Sequence, residues 1–281
     1  METGVQRDLE LPQGTIRVYE QGAGPVLFFV HGLLVSHTLW ELVTEHLADQ
    51  FRCVAIDLPL GAHRVPMRPD ADLSPRGLAA MAAGVMEQLD LRDVVLVGND
   101  TGGAICQLVV AHHPDRLAGL VLTTCDAYEH FPPPLLKPLI MLGRAPRVAD
   151  AFLRLGRFPP VRDAIVAPVN KRRSAERSRA WVEPLSTDPG IRRDVIRFMA
   201  RVDSADTVAA APALRAFGRP ALVVWTRRDL FFPMSDGRRL ADDLSAPLAV
   251  LDDTRTFIPL DQPERLAELI RAFARENVTV P

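Results

Sequence analysis

Eleven residues constrain this fold more than any others: Val94-Val95-Leu96-Val97-Gly98-Asn99-Asp100-Thr101-Gly102-Gly103-Ala104. Four apolar residues in a row read as a strand buried on both faces, the glycines as a sharp turn, and Thr101 to about His112 as a helix. In a G-x-nucleophile-x-G turn the central residue is lifted onto a strained strand-to-helix bend. The flanking positions must be glycine there, because a side chain would strike the neighbouring strand or helix. Gly98 and Gly102 hold those places and Asp100 takes the nucleophile's position. The helix N-terminus behind it favours negative charge on Asp100 or on an oxyanion bound beside it. The competing reading is a glycine-rich phosphate loop or a plain tight turn.

The rest of the chain supplies the context. Thr15 to Glu20 alternates like an edge strand, and Gly22-Ala23-Gly24-Pro25 separates it from the apolar run Val26–Val30. That run ends in His31-Gly32-Leu33-Leu34, at the carboxyl end of a buried strand, where open α/β sheets build their sites. The amides of Leu33 and Thr101 are therefore candidate oxyanion donors. A helix is predicted over Trp40 to Ala48 and a buried strand over Cys53 to Asp57. Ser74 and Pro75 suit the start of a helix whose Leu78, Met81, Ala82, Val85, Met86 and Leu89 fall at helical spacing. Leu117 to Thr123 reads as another buried strand. This alternation demands a parallel sheet with right-handed crossovers.

After Cys125-Asp126-Ala127-Tyr128 the rhythm breaks into a Pro- and Arg-rich region without strand patterns. It resumes with a strand at Arg219–Trp225 followed by Thr226-Arg227-Arg228-Asp229, a strand at Pro247–Leu251 and a helix from Pro263 to about Glu276. The expected organisation is an α/β core of residues 1–125 and 213–281, with about eight mostly parallel strands and a helical cap at 126–212.

A chain of 281 residues with 48% hydrophobic residues buries a large core, and a net charge of -2 points to no polyanionic partner. Cys53, Cys106 and Cys125 each lie in an apolar run without metal-ligand spacing, as expected of a reduced cytoplasmic protein. No stretch reads as a signal peptide or a membrane span. The partner expected is a small molecule, without nucleic acid, membrane, metal or organic cofactor; a homodimer stays open.

Taken together, the chain resembles α/β-hydrolase-fold proteins. His31-Gly32 is similar to the oxyanion loop of that family, Gly98-Asn99-Asp100-Thr101-Gly102-Gly103 to its nucleophile elbow, and Trp225-Thr226-Arg227-Arg228-Asp229 to the strand and loop that place its acid. An Asp where serine hydrolases carry Ser resembles the branch of haloalkane dehalogenases, fluoroacetate dehalogenases and epoxide hydrolases. The resemblance implies attack by a carboxylate on a saturated carbon, giving an alkyl-enzyme ester that water then opens.

Three departures matter. The family's histidine precedes an acidic-x-Pro segment; counting back from Asp261-Gln262-Pro263 reaches Thr256, and no histidine follows His130. The general base for hydrolysis is therefore not where the resemblance puts it. The residue after Asp100 is Thr101, not the halide-binding Trp of haloalkane dehalogenases. The cap region holds one tryptophan, Trp181, and its edge holds Tyr128, the one candidate for the tyrosine acid of epoxide hydrolases.

Asp100, Asp229 and Thr256 are thus the catalytic candidates, with His31, Asp126, Tyr128 and Trp181 as pocket candidates. Each has a plain structural reading beside it: His31 as part of the oxyanion loop, Asp229 as a satisfied loop carboxylate, Asp100 as a helix-end carboxylate. Clustered carboxyls would raise one another's pKa, leaving one as general acid and another as base. His37, His63 and His130 are loop histidines within reach of such a pocket. Eleven Lys or Arg between Lys137 and Arg179, against Asp150, Asp163 and Glu176, read as a solvated face or as an attractor for an anionic substrate. The functional expectation is a dehalogenase- or epoxide-hydrolase-like hydrolase. The alternatives are a lyase, isomerase or cyclase in which Asp100 moves a proton, and a ligand-binding protein without chemistry.

Overall fold

The computed structural model describes residues 4–277. The apolar runs become strands β1 (Val5–Leu11), β2 (Gly14–Gln21), β3 (Val26–Val30), β4 (Arg52–Asp57), β5 (Val94–Asp100), β6 (Leu117–Cys125), β7 (Ala221–Thr226) and β8 (Leu248–Leu251). They form one sheet in the order β1-β2-β4-β3-β5-β6-β7-β8. The pairs β1/β2 and β2/β4 are antiparallel and the rest are parallel. β1 carries no clear strand pattern, because most of its residues are polar and only Leu11 is fully buried; a two-residue turn to Gly14 and the Leu9–Ile16 register hold it.

Alternate strand residues feed two cores. One contains Phe28, Val54, Leu96 and Leu120, the other Leu27, Phe29, Val95 and Val97. On the second face lies α1 (Glu41–Glu45), shorter than the predicted 40–48 because the chain beyond it continues as hydrogen-bonded turns through Phe51. α2 (Pro75–Gln88) covers the first face, capped by the Ser74 hydroxyl, which accepts from the Gly77 N–H at 3.1 Å. α3 (Thr101–His112) leaves β5 directly and is buried along nearly its whole length.

Between β6 and β7 the described chain is helical: α4 (Lys137–Met141), α5 (Pro146–Leu153), α6 (Pro159–Val166), α7 (Ala175–Thr187), α8 (Pro189–Met199) and α9 (Ser204–Arg215). α9 straddles the end of the predicted 126–212 insertion, packs against α3 and shares the sheet's first core through Ala210, Ala211 and Leu214. Composition had grouped it with the insertion because it lacks a strand; its packing groups it with the sheet. The chain closes with α10 (Met234–Asp243), α11 (Ile258–Asp261) and α12 (Pro263–Asn277). Among the described residues no helix is long and apolar enough to cross a membrane.

Register fixes where function can sit. Val30 pairs with Gly98 and Asp100 with Cys125, while Thr226 pairs with Leu251. The residues just past the carboxyl ends of β3, β5, β6, β7 and β8 therefore meet at one end of the sheet.

Candidate active site

Asp100 sits on the bend with φ +56° and ψ -134°, a left-handed conformation that costs a non-glycine residue. Close approach makes the turn obligatory for small residues. A Cβ on Gly102 would lie 2.3 Å from the Val30 carbonyl, and one on Gly98 2.7 Å from the Cys106 sulfur. The bend turns the carboxylate toward the loop after β3, where the Leu33 N–H donates to Oδ2 at 3.1 Å. Leu33, expected to donate to an oxyanion, thus holds the Asp100 carboxyl itself. Burial pushes Asp100 up to about 7, the Leu33 and Thr101 amides pull against that, and the nearby Asp229 adds to the rise.

Asp126 follows β6 and faces the same bend. Its Oδ2 accepts from the Thr101 hydroxyl at 3.0 Å, whereas Oδ1 is buried without a partner among the described residues. Burial, and after it the adjacent Asp100, raise it well above the ordinary carboxylate value, against the pull of the Thr101 hydroxyl. Asp229 is more fully bonded. Its Oδ1 accepts from the Phe231 and Phe232 amides at 2.8 and 3.1 Å, and its Oδ2 from the Thr256 hydroxyl at 2.8 Å. Burial outweighs these donors and raises it too.

Thr256 is buried, with its hydroxyl committed to Asp229 and its carbonyl accepting from Asn99 Nδ2 at 2.8 Å. The same Asn99 nitrogen lies within 3.2 Å of acceptors on Thr123 and Thr124, welding β5, β6 and the Thr256 loop together. Sequence reasoning passed over Asn99; a polar residue closing an otherwise apolar strand was the signal.

The four histidines singled out by the sequence are engaged elsewhere. His31 donates from Nδ1 to the Gly32 carbonyl at 2.8 Å and accepts at Nε2 from the Leu58 N–H at 3.0 Å. Burial lowers it to about 4, so it is a neutral brace of its loop. His37 pairs with Asp57 at 3.0 Å, His63 with Asp194 at 3.4 Å and His130 with Asp236 at 2.7 Å.

A cavity of about 370 Å³ opens against the bend. Among its lining residues only Asp100, Thr101 and Asp126 are polar; Leu33 and Phe257 from the sheet side and Phe131, Ile140, Phe152, Ile165 and Phe198 from the segment between β6 and β7 are representative of the rest. A larger hollow of about 480 Å³ around Asp70, Asp72 and Arg197 shares no lining residue with it. Of the predicted pocket residues, Asp126 lines the cavity while His31, Tyr128 and Trp181 do not. The Tyr128 hydroxyl donates to Asp243 at 3.0 Å beneath the Arg239 guanidinium, 3.7 Å from its ring centre. Trp181 donates to the Thr38 hydroxyl at 2.7 Å and meets Phe257 edge-on, 5.9 Å between ring centres, so it supports a wall without being in it. Both partners are far away in sequence, which is why spacing misplaced these two. Among the described residues no group of three or more His, Cys, Asp or Glu is placed to hold a metal ion.

Residues 25–263 match the family described as alpha/beta hydrolase fold. The chain is 25% identical to an uncharacterised hydrolase, YugF, of Bacillus subtilis, over 92% of each chain. It is 27% identical to a haloalkane dehalogenase of Mesorhizobium japonicum, over 88% of this chain and 80% of that one. In three dimensions it superposes on the epoxide hydrolase CorEH with a TM-score of 0.80 at 20% identity, covering 98% of this chain and 99% of the other.

Proposed function

The chain belongs to the alpha/beta hydrolase fold family, and we propose that within it the protein is an enzyme of hydrolase type in which Asp100 reacts with a small, uncharged, mainly apolar molecule. One observation carries this reading: a carboxylate on the strained bend is presented to a cavity whose other walls are almost wholly apolar. The helices α4 to α8 act as the cap that closes this cavity. The absence of any Lys, Arg or His among the lining residues, beside two carboxyls, disfavours an anionic substrate.

With a pKa of about 7, Asp100 is ionised in a large share of molecules at neutral pH. Its carboxylate attacks a saturated carbon; a C–O bond forms and the bond to the leaving group breaks. Where the leaving group is an oxygen, as in a strained cyclic ether, the Asp126 carboxyl in the same wall, raised by burial, is the group placed to give it a proton and become a carboxylate. Opening the resulting ester needs a base for water, and Thr256, hydrogen-bonded to Asp229, stands where family spacing puts the imidazole. A hydroxyl is no such base, so ester opening is the slow step. The haloalkane dehalogenase relative supports the covalent route.

A second reading rests on the pairing of Asp100 with Asp126. Two carboxyls in one apolar wall, both raised by burial, form an acid–base pair suited to isomerase or lyase chemistry without any ester. Intact-protein mass spectrometry during turnover in heavy-oxygen water separates the two. Label entering Asp100 supports the covalent route; turnover with no label supports proton transfer, and no turnover across esters, epoxides and alkyl halides leaves a binding protein.

A further inference from the structure

Of the nine large apolar side chains left exposed among the described residues, six fall between positions 135 and 158: Leu135, Met141, Val148, Phe152, Leu155 and Phe158. Val148, Phe152 and Leu155 stand at i, i+4 and i+7 along α5 and the 3-10 turn that continues it, hence on one face. Ala149 and Leu153 bury a different face. The same stretch carries Lys137, Arg144, Arg147, Arg154 and Arg157 against Asp150 alone, in a chain whose net charge is -2. Asp150 is shared by Arg154 and Arg192, and none of the other four cations is in a salt bridge among the described residues. Arg157 lies over the Phe158 ring, 4.7 Å from its centre, so cation and apolar surface are interleaved. Phe152 belongs both to this surface and to the cavity wall.

We infer that this face of the helical segment docks on an anionic lipid surface, its apolar side chains entering the headgroup boundary and its cations meeting lipid phosphates. An exposed apolar face this concentrated marks an interaction site, and a basic rim selects a negatively charged partner. A second copy of the chain is the poorer occupant, because a twofold contact would set the two sets of unpaired cations against each other. The apolar surface runs through Phe152 into the cavity wall, so an apolar molecule dissolved in the bilayer meets the cavity from the docked side.

The test is sedimentation of the full chain with vesicles of phosphatidylcholine containing phosphatidylglycerol, against vesicles of phosphatidylcholine alone. Binding is expected to the first, weakening as salt rises. Each cation removed lowers partitioning about fivefold, so Arg147→Ala with Arg157→Ala lowers it about 25-fold. Leu155→Ser with Phe158→Ser abolishes the part that survives salt. All four residues are exposed and none lines the cavity; unchanged circular dichroism and thermal melting confirm that each variant is folded, and Val148→Ser substitutes for a variant that fails this check. The proposal is overturned if the protein stays in the supernatant with both vesicle types, or if it binds both equally and the arginine substitutions change nothing. It is equally overturned if sedimentation equilibrium shows a dimer that Leu155→Ser with Phe158→Ser dissociates.

Discussion

Replacing Asp100 by Asn tests the central electrostatic claim without touching any substrate. In the folded chain the carboxyl is lifted from 3.8 to about 7, chiefly by burial. Between those values the native state holds a proton that the unfolded chain has released. The stability this group contributes is fully present below its unfolded pKa and is lost as pH rises through about 7. A rise of about three pH units amounts to about 4 kcal/mol once the group is fully ionised. Asn is neutral at every pH, its carbonyl oxygen can accept from Leu33, and it tolerates a positive φ better than most residues. Its NH₂ group, set against an apolar wall, costs about 1–2 kcal/mol in return. Asp100→Asn is therefore expected to be about 0.5–1.5 kcal/mol less stable than the parent near pH 4 and about 2–3 kcal/mol more stable near pH 8.5. The sign should cross between about pH 4.5 and 5.5. Urea unfolding followed by fluorescence of the buried Trp40, Trp181 and Trp225 measures this directly. A difference that does not vary with pH, or a variant less stable at alkaline pH, would show that Asp100 is not a desolvated carboxylate.

Covalent labelling of Asp100 by a reactive epoxide should rise with pH through about 7 and then level, because only the carboxylate attacks; mass spectra showing a flat profile would refute this. Thr256→His should speed release of that adduct by about 10²- to 10⁴-fold in a time course of intact masses, since it restores a base beside Asp229. Rapid turnover by the parent, slowed by the substitution, would mean another base is at work. Gly102→Ala sets a methyl 2.3 Å from the Val30 carbonyl, a backbone atom that cannot step aside. A loss of at least about 3 kcal/mol is expected, and a soluble variant with an unchanged melt would contradict the geometry. Asn99→Ala leaves the Thr256 carbonyl without its donor, at a cost of about 2–3 kcal/mol, and should hasten amide exchange around Thr256 selectively.

The sheet and the bend were legible because their signals are local. Val94–Val97 can only be a buried strand, and Gly98 and Gly102 are demanded by contacts within the same turn. β1 was not legible: a strand reading Arg-Asp-Leu-Glu exists because Ile16 and its neighbours offer it an edge. α9 shows the same limit at the scale of a helix, since nothing in Ser204–Arg215 says which layer it joins. Asp126 could be placed in the site by counting from β6. Tyr128 and Trp181 could not be placed out of it, because Asp243, Arg239 and Thr38, which turn them away, are brought near only by the completed fold.

What distinguishes the site is that charge is sorted by side. The inner wall has two carboxyls and no cation, and His31, His37, His63 and His130 are hydrogen-bonded elsewhere. On the outer face Lys137, Arg144, Arg147 and Arg157 are exposed and free of carboxylate partners among the described residues, so they project a positive field into solvent. An anion drawn by that field would meet Asp100 and Asp126 on entering, and their charge and desolvation would reject it. A neutral apolar molecule meets no such barrier, and on the docking proposed above one dissolved in an anionic membrane would meet the cavity from the docked face. The excess of arginine in this segment thus fits the proposed docking surface, while the carboxyl pair within fits the neutral substrate proposed for the cavity.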